Sequence, residues 1–178
     1  MYKYLFIVLV IFSACKKQEE SILSQEISDW KFECQGDWHQ AEVPGNNFSD
    51  LLKHNFIPDP FYGTNEDSIQ WVSERNWQYK SQFSVPKSTL ENEKQLMVFS
   101  GLDTYAKVYL NDSLILQANN MFRTWEVDVS DILKKDNTLL IKFDAASKIE
   151  TEKQTTLGYS LPGGERVFTR KAGFHYSW

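Results

Sequence analysis

The sequence predicts an all-β fold, a jelly-roll β-sandwich, and three observations support this class. Short segments alternate apolar and polar residues, as strands with one buried face do. Turn-forming residues separate these segments at intervals of about ten residues. The chain is also rich in aromatic residues, with 6 Trp, 8 Tyr and 12 Phe among 178 residues. Aromatic side chains fit a pleated, half-buried surface, so we expect most of them to lie in a packed core.

The most regular alternation predicts a strand at residues 77–85, where apolar or small residues occupy every second position. A second alternating run at residues 105–110 is followed by an Asn-Asp-Ser turn at residues 111–113. Asn and Asp tolerate positive φ and bond their own backbone, so the chain is predicted to return at residues 114–116 as the partner strand. We expect this hairpin, within residues 96–123, to be the centre of the domain.

Shorter alternating runs predict four further strands, at residues 27–34, 96–100, 125–129 and 138–143. Two segments are instead predicted to be loops because they contain several Pro and Gly residues, namely residues 57–65 and residues 147–167. The first of these loops is rich in aromatic residues. Loops carry binding residues more often than scaffold strands do.

Local turn and helix signals lie between the predicted strands. The pair Pro44-Gly45 predicts a type II turn, since Pro presets φ and Gly accepts the positive φ that follows. Ser49 or Asp50 is predicted to cap a short helical turn over residues 51–56. The pair Ser130-Asp131 is predicted to cap another single helical turn directly after it.

The first 14 residues are predicted to be a signal peptide. Lys3 provides a positive start, and the apolar run at residues 5–12 is too short to span a bilayer. The sequence Phe-Ser-Ala-Cys ending at Cys15 resembles a bacterial lipobox, in which the Cys is acylated after cleavage. The alternative is an ordinary secretory peptide followed by an accidental Cys.

An acylated Cys15 would make the chain a bacterial outer-membrane lipoprotein, facing the periplasm or the cell surface. Residues 15–26 are polar and without periodicity, so we predict a tether between the lipid and the folded domain. The acidic pair Glu19-Glu20 resembles surface-export signals. Contact with the membrane is expected through the lipid anchor only.

The net charge of the chain and the spacing of its Cys and His residues argue against several functions. The net charge of −5 and the absence of a basic stripe argue against binding to nucleic acid. Two Cys and three scattered His residues give no metal-ligand spacing, and no phosphate-binding loop is present. We therefore predict no metal and no cofactor. If Cys15 is acylated, Cys34 has no disulfide partner, and we expect Cys34 to be a buried thiol.

Five motifs carry a resemblance to a known family. They occur in the family's order and at similar spacing between residues 30 and 178: VPG at 43–45, DPFYGTNE at 59–66, QWVSERNWQY at 70–79, GLDTYAKVYLN with NNMFR at 101–123, and RKAGFHYSW at 170–178. Together they are similar to the amino-terminal sugar-binding domain of β-mannosidases in glycoside hydrolase family 2. The resemblance implies a galactose-binding-like β-sandwich at residues 27–178 and β-mannosyl oligosaccharides as the ligand class.

The resemblance also implies where catalysis occurs. Family 2 enzymes carry two catalytic glutamates on a (β/α)8 barrel, which follows this domain and an immunoglobulin-like one. We predict no catalytic residue here, because no pair of carboxylates in the sequence indicates the spacing of about 5–5.5 Å that a retaining glycosidase needs. The immunoglobulin-like and barrel domains are the implied partners, and the chain is expected to be a fragment inactive by itself.

Site residues follow from matched motif positions. In similar proteins the RKAGFHYSW motif continues into a Trp-Asp pair that contacts the sugar, and Trp178 matches this Trp. Trp178 is thus the predicted substrate-binding residue, with a frayed terminal residue as the alternative. Arg170 and Lys171 match the motif and are expected to support its turn. Residues 119–123 are expected to form a loop that packs on neighbouring domains or contacts ligand.

Other roles remain open. Asp59, Asn65 and Glu66 are candidates for contacts with sugar hydroxyls, although solvated loop side chains are more common. The chain as a whole is predicted to serve a β-mannosidase that releases terminal non-reducing β-D-mannose with retention. Two alternatives are a stand-alone, non-catalytic carbohydrate-binding lipoprotein and a domain of another family 2 glycosidase, acting on β-galactosides, β-glucuronides or glucosaminides.

Overall fold

The computed structural model describes residues 24–162 and 164–171. The strands within these residues are β1 (Lys31–Cys34), β2 (Asp37–Gln40), β3 (Trp77–Ser84), β4 (Leu96–Phe99), β5 (Tyr105–Leu110), β6 (Ser113–Asn119), β7 (Trp125–Asp128) and β8 (Asp136–Asp144). The helices are α1 (Asn47–Lys53), α2 (Asn65–Ser68), α3 (Trp71–Glu74), α4 (Lys87–Leu90) and α5 (Ala146–Leu157), followed by one 3-10 turn, η1 (Glu165–Phe168). No helix in the described ranges has the length and apolar character needed to cross a membrane.

Six strands form one antiparallel sheet in the order β2-β1-β3-β8-β5-β6. Its central pair joins β3 to β8 from Trp77 opposite Phe143 to Ser84 opposite Asp136. Strands β4 and β7 form a second, two-stranded antiparallel sheet. The prediction of a mostly antiparallel, sandwich-like β fold is therefore confirmed, with strands divided unevenly between the two sheets.

One contiguous core joins both sheets to the short helices. Alternate residues of β5 (Ala106, Val108 and Leu110) are at most 2% exposed, as the sequence pattern predicts. They belong to one cluster with Met97 and Phe99 of β4 and with buried residues from the segments around α1 and α3. Residues 27–34 were predicted as one strand, and the ordered strand is the shorter β1. Trp30 and Phe32 still share the buried face.

The predicted hairpin is confirmed. Asn111 and Asp112 have φ of 50° and 68° and connect β5 to β6, the left-handed backbone that a tight two-residue turn requires. Asn111 also fixes its neighbours, because its side chain accepts a hydrogen bond from the Thr138 amide and donates to the carbonyl oxygen of Ile132. The turn is thereby tied to β8 and to the segment after β7.

The prediction of a loop at residues 147–167 is wrong over its first half, where α5 lies. Its sequence, ASKIETEKQTTL, contains few large apolar residues and no capping side chain, so it lacks the periodicity that marks an amphipathic helix. Gly158, which indicated a loop, is the helix C-cap: it has φ of 77° and its amide donates to the Gln154 carbonyl oxygen. The hydroxyl of Ser147 donates to the Ser73 carbonyl oxygen in α3, at 3.3 Å.

The predicted cap of α1 is also wrong. The N-cap is Asn46, whose side chain accepts from the Ser49 amide. Asp50 lies inside the helix and is 1% exposed, and its carboxylate accepts from the Glu42 amide and from the Tyr79 hydroxyl at 2.9 Å. Burial, together with the negative charge of Asp50 and this hydrogen bond, raises the pKa of Tyr79. Asp50 therefore connects α1 to the centre of the large sheet.

The predicted helical turn after Ser130-Asp131 is not a helix. Asp128 is the capping side chain here, because its carboxylate accepts from both the amide and the hydroxyl of Ser130. These hydrogen bonds lower the pKa of Asp128. The Ser130 hydroxyl oxygen in turn accepts from the Gln95 amide across the two-stranded sheet. The backbone still forms one hydrogen-bonded turn, since the Ile132 and Leu133 amides donate to the Val129 carbonyl oxygen, but this turn does not extend into a helix.

The type II turn predicted at Pro44-Gly45 is wrong as well, since Gly45 does not adopt positive φ. Gly45 is required for a different reason, because a Cβ atom at this position would collide with the carbonyl oxygen of Glu42. Cys34, in contrast, is as predicted: it is a free thiol with 0% exposure, and burial raises its pKa.

Candidate functional site

The candidate site is one end of the large sheet, which we call the Tyr105 end. The register aligns Trp77 with Phe143, and in the adjacent row, the last one at this end, it aligns Tyr105 with both Asp144 and Asn119. The β4–β5 loop (residues 100–104), the β6–β7 loop (residues 120–124) and the start of α5 all connect to this row.

The two loops approach each other closely. A Cβ atom on Gly101 would lie 3.0 Å from the Met121 carbonyl oxygen, so the contact favours glycine at position 101. Asn120 shapes the second loop, because its side-chain oxygen accepts from the Phe122 amide at 2.9 Å. The Phe122 ring is 68% exposed, which leaves it on the surface of this end.

The segment leading towards the predicted sugar-contacting residue is fixed at this end. Asn120 forms a parallel bridge with Arg170, and the Met121 amide donates to the Arg170 carbonyl oxygen at 2.9 Å. The Lys171 ammonium lies 3.0 Å from a carboxylate oxygen of Asp103. The expectation that Arg170 and Lys171 support a turn stays a prediction, but both are held by the two loops. Trp178 and Cys15 lie outside the described residues.

A charged cluster lies beside Tyr105. The Lys107 ammonium donates to the Asp144 carboxylate at 2.8 Å, and this hydrogen bond and the opposite charge raise the pKa of Lys107. The Asn76 side chain accepts from the Ala145 amide at 2.9 Å, where the chain leaves β8 for α5. The ammonium group of Lys153, which lies on α5, donates to the Tyr105 hydroxyl at 2.9 Å.

The aromatic loop predicted at residues 57–65 is strongly exposed. The rings of Phe61 and Tyr62 are 86% and 77% exposed. Asp59 and Asn65, proposed as contacts for hydroxyls, are used to shape the loop: the Asp59 carboxylate accepts from the Phe61 amide, and the Asn65 side chain donates to the Asp59 carbonyl oxygen. Glu66 lies in the first turn of α2.

Arg123, near the end of the β6–β7 loop, stacks on Trp125 at the start of β7. The guanidinium of Arg123 lies 4.3 Å from the ring centroid of Trp125. The indole nitrogen of Trp125 is buried and, within the described part of the chain, has no hydrogen-bond partner. Arg123, itself exposed, covers the ring of Trp125 at the start of β7. The expectation that residues 119–123 pack on neighbouring domains or contact ligand stays a prediction.

One concave surface lies away from the Tyr105 end. An open, polar hollow of about 340 Å³ is lined by Gln82, Phe83, Ser84, Asp136, Asn137 and Thr138. It lies at the opposite end of β3 and β8 from Tyr105. Small-molecule sites are typically enclosed and mostly apolar, so this hollow does not have their character. Among the described residues, no group of three or more His, Cys, Asp or Glu side chains is placed to hold a metal ion.

Sequence reasoning missed the residues that hold the C-terminal segment. Tyr105 was predicted only as part of the strand at residues 105–110, and its position at the strand's first residue gives no signal that it reaches another segment. Lys153 was missed because its helix was predicted to be a loop. The motif match at Arg170 and Lys171 was the one signal that pointed to this part of the chain.

The fold and the arrangement at the Tyr105 end define the chain as a β-sandwich domain of the galactose-binding-like type. The model of the family described as "Glycosyl hydrolase 2 galactose-binding domain-like" matches residues 29–178, and the chain belongs to this family. The resemblance seen in the five motifs is thereby confirmed.

The relatives are β-mannosidases. The chain is 38% identical over 144 residues to β-mannosidase B of Thermothelomyces thermophilus, and 32% identical over 149 residues to mouse β-mannosidase. Each alignment covers 78% of this chain and 17% of the relative. The crystal structure of β-D-mannosidase from Dictyoglomus thermophilum superposes with a TM-score of 0.81 at 36% identity, covering 85% of this chain and 20% of that one.

A more distant structure shares the fold alone. The exo-chitosanase CsxA of Amycolatopsis orientalis superposes on 60% of this chain with a TM-score of 0.54, at 19% identity. The chain thus spans about a fifth of the length of the relatives it matches, and the activity of those relatives is a property of much longer polypeptides.

Proposed function

We propose that this chain is the accessory sugar-binding domain of a β-mannosidase that releases terminal non-reducing β-D-mannose with retention. The superposition on the Dictyoglomus β-D-mannosidase, with a TM-score of 0.81 over 85% of the chain, carries this proposal. The two named sequence relatives of at least 32% identity, both β-mannosidases, support mannose over the other sugars considered. A jelly-roll connectivity of the sandwich is part of the same proposal.

The role of the domain is to present a binding wall, and bond cleavage belongs to a barrel domain of the same protein. Trp178 is the residue we propose to contact the sugar. An indole offers a flat apolar face to the C–H side of a sugar ring and an N–H donor to a hydroxyl. The exposed rings of the 57–65 loop and of Phe122 are surfaces for the neighbouring immunoglobulin-like and barrel domains.

Activity of the isolated chain tests the proposal directly. A purified protein of residues 16–178 is expected to leave an aryl β-mannoside intact, because no catalytic carboxylate pair is assigned to this domain. Release of the aryl alcohol at typical enzyme rates, about 1–1000 per second, would contradict the accessory role.

Binding provides the second test. Isothermal titration calorimetry with mannose and with β-1,4-mannobiose is expected to give weak or undetectable affinity, because one wall of a pocket buries little of a sugar. A dissociation constant in the micromolar range would instead favour a stand-alone carbohydrate-binding protein.

We also propose that Cys15 is acylated and that residues 15–26 tether the domain to the outer membrane. The support is the lipobox-like sequence before Cys15 and the short apolar run that precedes it. Expression of the full chain in a Gram-negative host, with a labelled fatty acid, should label the wild type and leave Cys15→Ala unlabelled. Equal labelling of both proteins, or labelling of neither, would exclude this anchor.

A further inference from the structure

The C-terminal residues 168–171 are held by contacts from three distant segments. The Tyr105 hydroxyl at the start of β5 donates to the Phe168 carbonyl oxygen at 3.1 Å and lies 3.3 Å from the Thr169 hydroxyl. The same Tyr105 oxygen accepts from the Lys153 ammonium of α5 at 2.9 Å. Tyr105 is thus the point at which α5, β5 and the C-terminal segment meet.

Two loops hold the rest of this segment. The bridge between Asn120 and Arg170, with the Met121 amide bonded to the Arg170 carbonyl oxygen, fixes the backbone direction at Arg170. Asp103 holds the following side chain, Lys171, at 3.0 Å. We call the contacts of Tyr105, Asn120, Met121 and Asp103 with residues 168–171, together with the hydrogen bond from Lys153 to Tyr105, the C-terminal clasp.

The clasp orders a segment that contributes little to the core. Within residues 164–171, none of the described side chains belongs to the buried core cluster or packs against it, and Val167 is 48% exposed. Apolar burial therefore does not account for the order of this segment, and ordering a chain costs conformational entropy. Directional polar contacts hold the segment instead. Such contacts can set the direction in which the backbone continues after Lys171.

We propose that Tyr105 is a positioning residue, which through the clasp sets the direction in which the chain leaves the domain after Lys171 and so aims Trp178 at the sugar. Asp103 is a weaker contributor, because its ion pair with Lys171 is about 40% exposed on both sides (39% and 42%) and exposed pairs contribute little. This inference rests on the proposed function for the sugar contact, whereas the clasp itself can be tested without it.

Trypsin provides the test of the clasp, because it cleaves after Arg170 and Lys171. Limited proteolysis of the full 178-residue chain, followed by mass spectrometry, is expected to show slow cleavage at both bonds in the wild type. Tyr105→Phe keeps the ring and removes the hydroxyl, and should speed both cleavages by roughly fivefold, the worth of one hydrogen bond. Asp103→Asn should speed them by about twofold at most.

Tyr109→Phe is the matched control, because Tyr109 lies on the same strand and the same outer face but outside the clasp. It should leave both cleavage rates at the wild-type value. Equal acceleration by Tyr105→Phe and Tyr109→Phe would indicate general loosening and would overturn the proposal, as would no acceleration by Tyr105→Phe.

The functional half is tested in the longer polypeptide that carries the catalytic domain. A misaimed binding wall weakens ground-state and transition-state binding together, so Tyr105→Phe should raise KM for an aryl β-mannoside several-fold with little change in kcat. In a Trp178→Ala background the same substitution should have no further effect, since Tyr105 would act through Trp178.

The outcomes separate the two proposals. An equal effect of Tyr105→Phe with and without Trp178 would refute positioning through Trp178. If Trp178→Ala leaves the kinetics unchanged, the proposed sugar contact fails and the functional half of this inference fails with it, whatever trypsin shows. Wild-type cleavage by trypsin at both bonds as fast as in the unfolded chain would refute the clasp while leaving the proposed function intact.

Discussion

The two ends of the six-stranded sheet are built in different ways. At the Tyr105 end, distant segments converge, and the β6–β7 loop carries the exposed ring of Phe122. At the opposite end, which we call the Asn137 end, β3 finishes, β8 begins and β5 turns into β6. Here the turns are closed by side-chain amides: Asn137 is 4% exposed, accepts from the Lys134 amide and donates to the Lys134 carbonyl oxygen.

Folding stability depends more on the Asn137 end, whereas the proposed function depends on the Tyr105 end. Buried amides that satisfy backbone groups make the Asn137 end self-contained, so its interactions are completed within the domain. At the Tyr105 end the exposed Phe122 ring leaves apolar surface uncovered, and the polar contacts hold the segment at residues 168–171. Under the proposed function, this end faces the neighbouring domains. Substitutions should therefore have their largest effects on folding at the Asn137 end.

The largest effect is expected for Leu110→Ala, at the last residue of β5 on the Asn137 side. Leu110 is 0% exposed, so its truncation removes buried apolar surface and leaves a cavity. The free energy of unfolding should fall by about 3 kcal/mol, measured by urea denaturation. Leu114→Ala is the control, since Leu114 on the neighbouring β6 is 47% exposed and should lose less than about 1 kcal/mol. Equal losses would show that the core does not extend to this end.

A smaller loss is expected for Asn137→Ala. The substitution leaves the amide and the carbonyl oxygen of Lys134, and one Asn111 donor, without their present partner. Unpaired groups in a buried turn should lower the free energy of unfolding by about 2 kcal/mol. Asn119→Ala, an exposed asparagine at the Tyr105 end, serves as the control and should change it by less than about 0.5 kcal/mol. A neutral Asn137→Ala would mean that water replaces these hydrogen bonds without cost.

The smallest effect on stability is expected for Lys107→Met at the Tyr105 end, and this effect should depend on pH. Because Asp144 raises the pKa of Lys107 in the folded protein, the pair stabilises the fold fully below the unfolded pKa of Lys, about 10.4, and loses this contribution as pH rises through the folded pKa. Lys107→Met should therefore reduce stability at pH 8 by about 0.5 kcal/mol or less, and the difference from wild type should shrink towards pH 11.

Lys135→Met, which removes an exposed lysine at the Asn137 end, is the matched control for this titration. It removes an exposed lysine but leaves the ion pair between Lys107 and Asp144 in place, so it measures the effect of the substitution itself. A Lys107→Met difference that is constant between pH 8 and pH 11 would show that the ion pair with Asp144 does not contribute to stability. Thermal denaturation followed by circular dichroism is sufficient for both variants.

The strands could be predicted from the sequence because each has one buried face. Alternation placed Tyr79 and Val108 on the core side correctly, and the Asn111-Asp112 pair identified the hairpin. Helix α5 could not be predicted in this way, because it covers little apolar surface and is held by the Ser147 and Lys153 side chains instead. Periodicity detects burial, and α5 has little of it.

The candidate site could be predicted only through the family resemblance. Motif similarity pointed to Arg170 and Lys171, whereas the partners that hold them lie far earlier in the chain: Asn120 and Met121 for Arg170, and Asp103 for Lys171. Such pairings depend on the strand register, which brings the start of β5 beside the end of β8. The caps failed for a related reason, since Asp50 and Ser130 bond to residues outside their own turns.

The pairing of β3 with β8 has a consequence for the order of events during synthesis. Trp77 has Phe143 as its partner, so the centre of the large sheet cannot close until almost the whole domain has left the ribosome. Pairings between remote segments also form slowly. The large sheet of a nascent chain would therefore stay incomplete while β1 to β7 emerge, and it would close only when β8 follows.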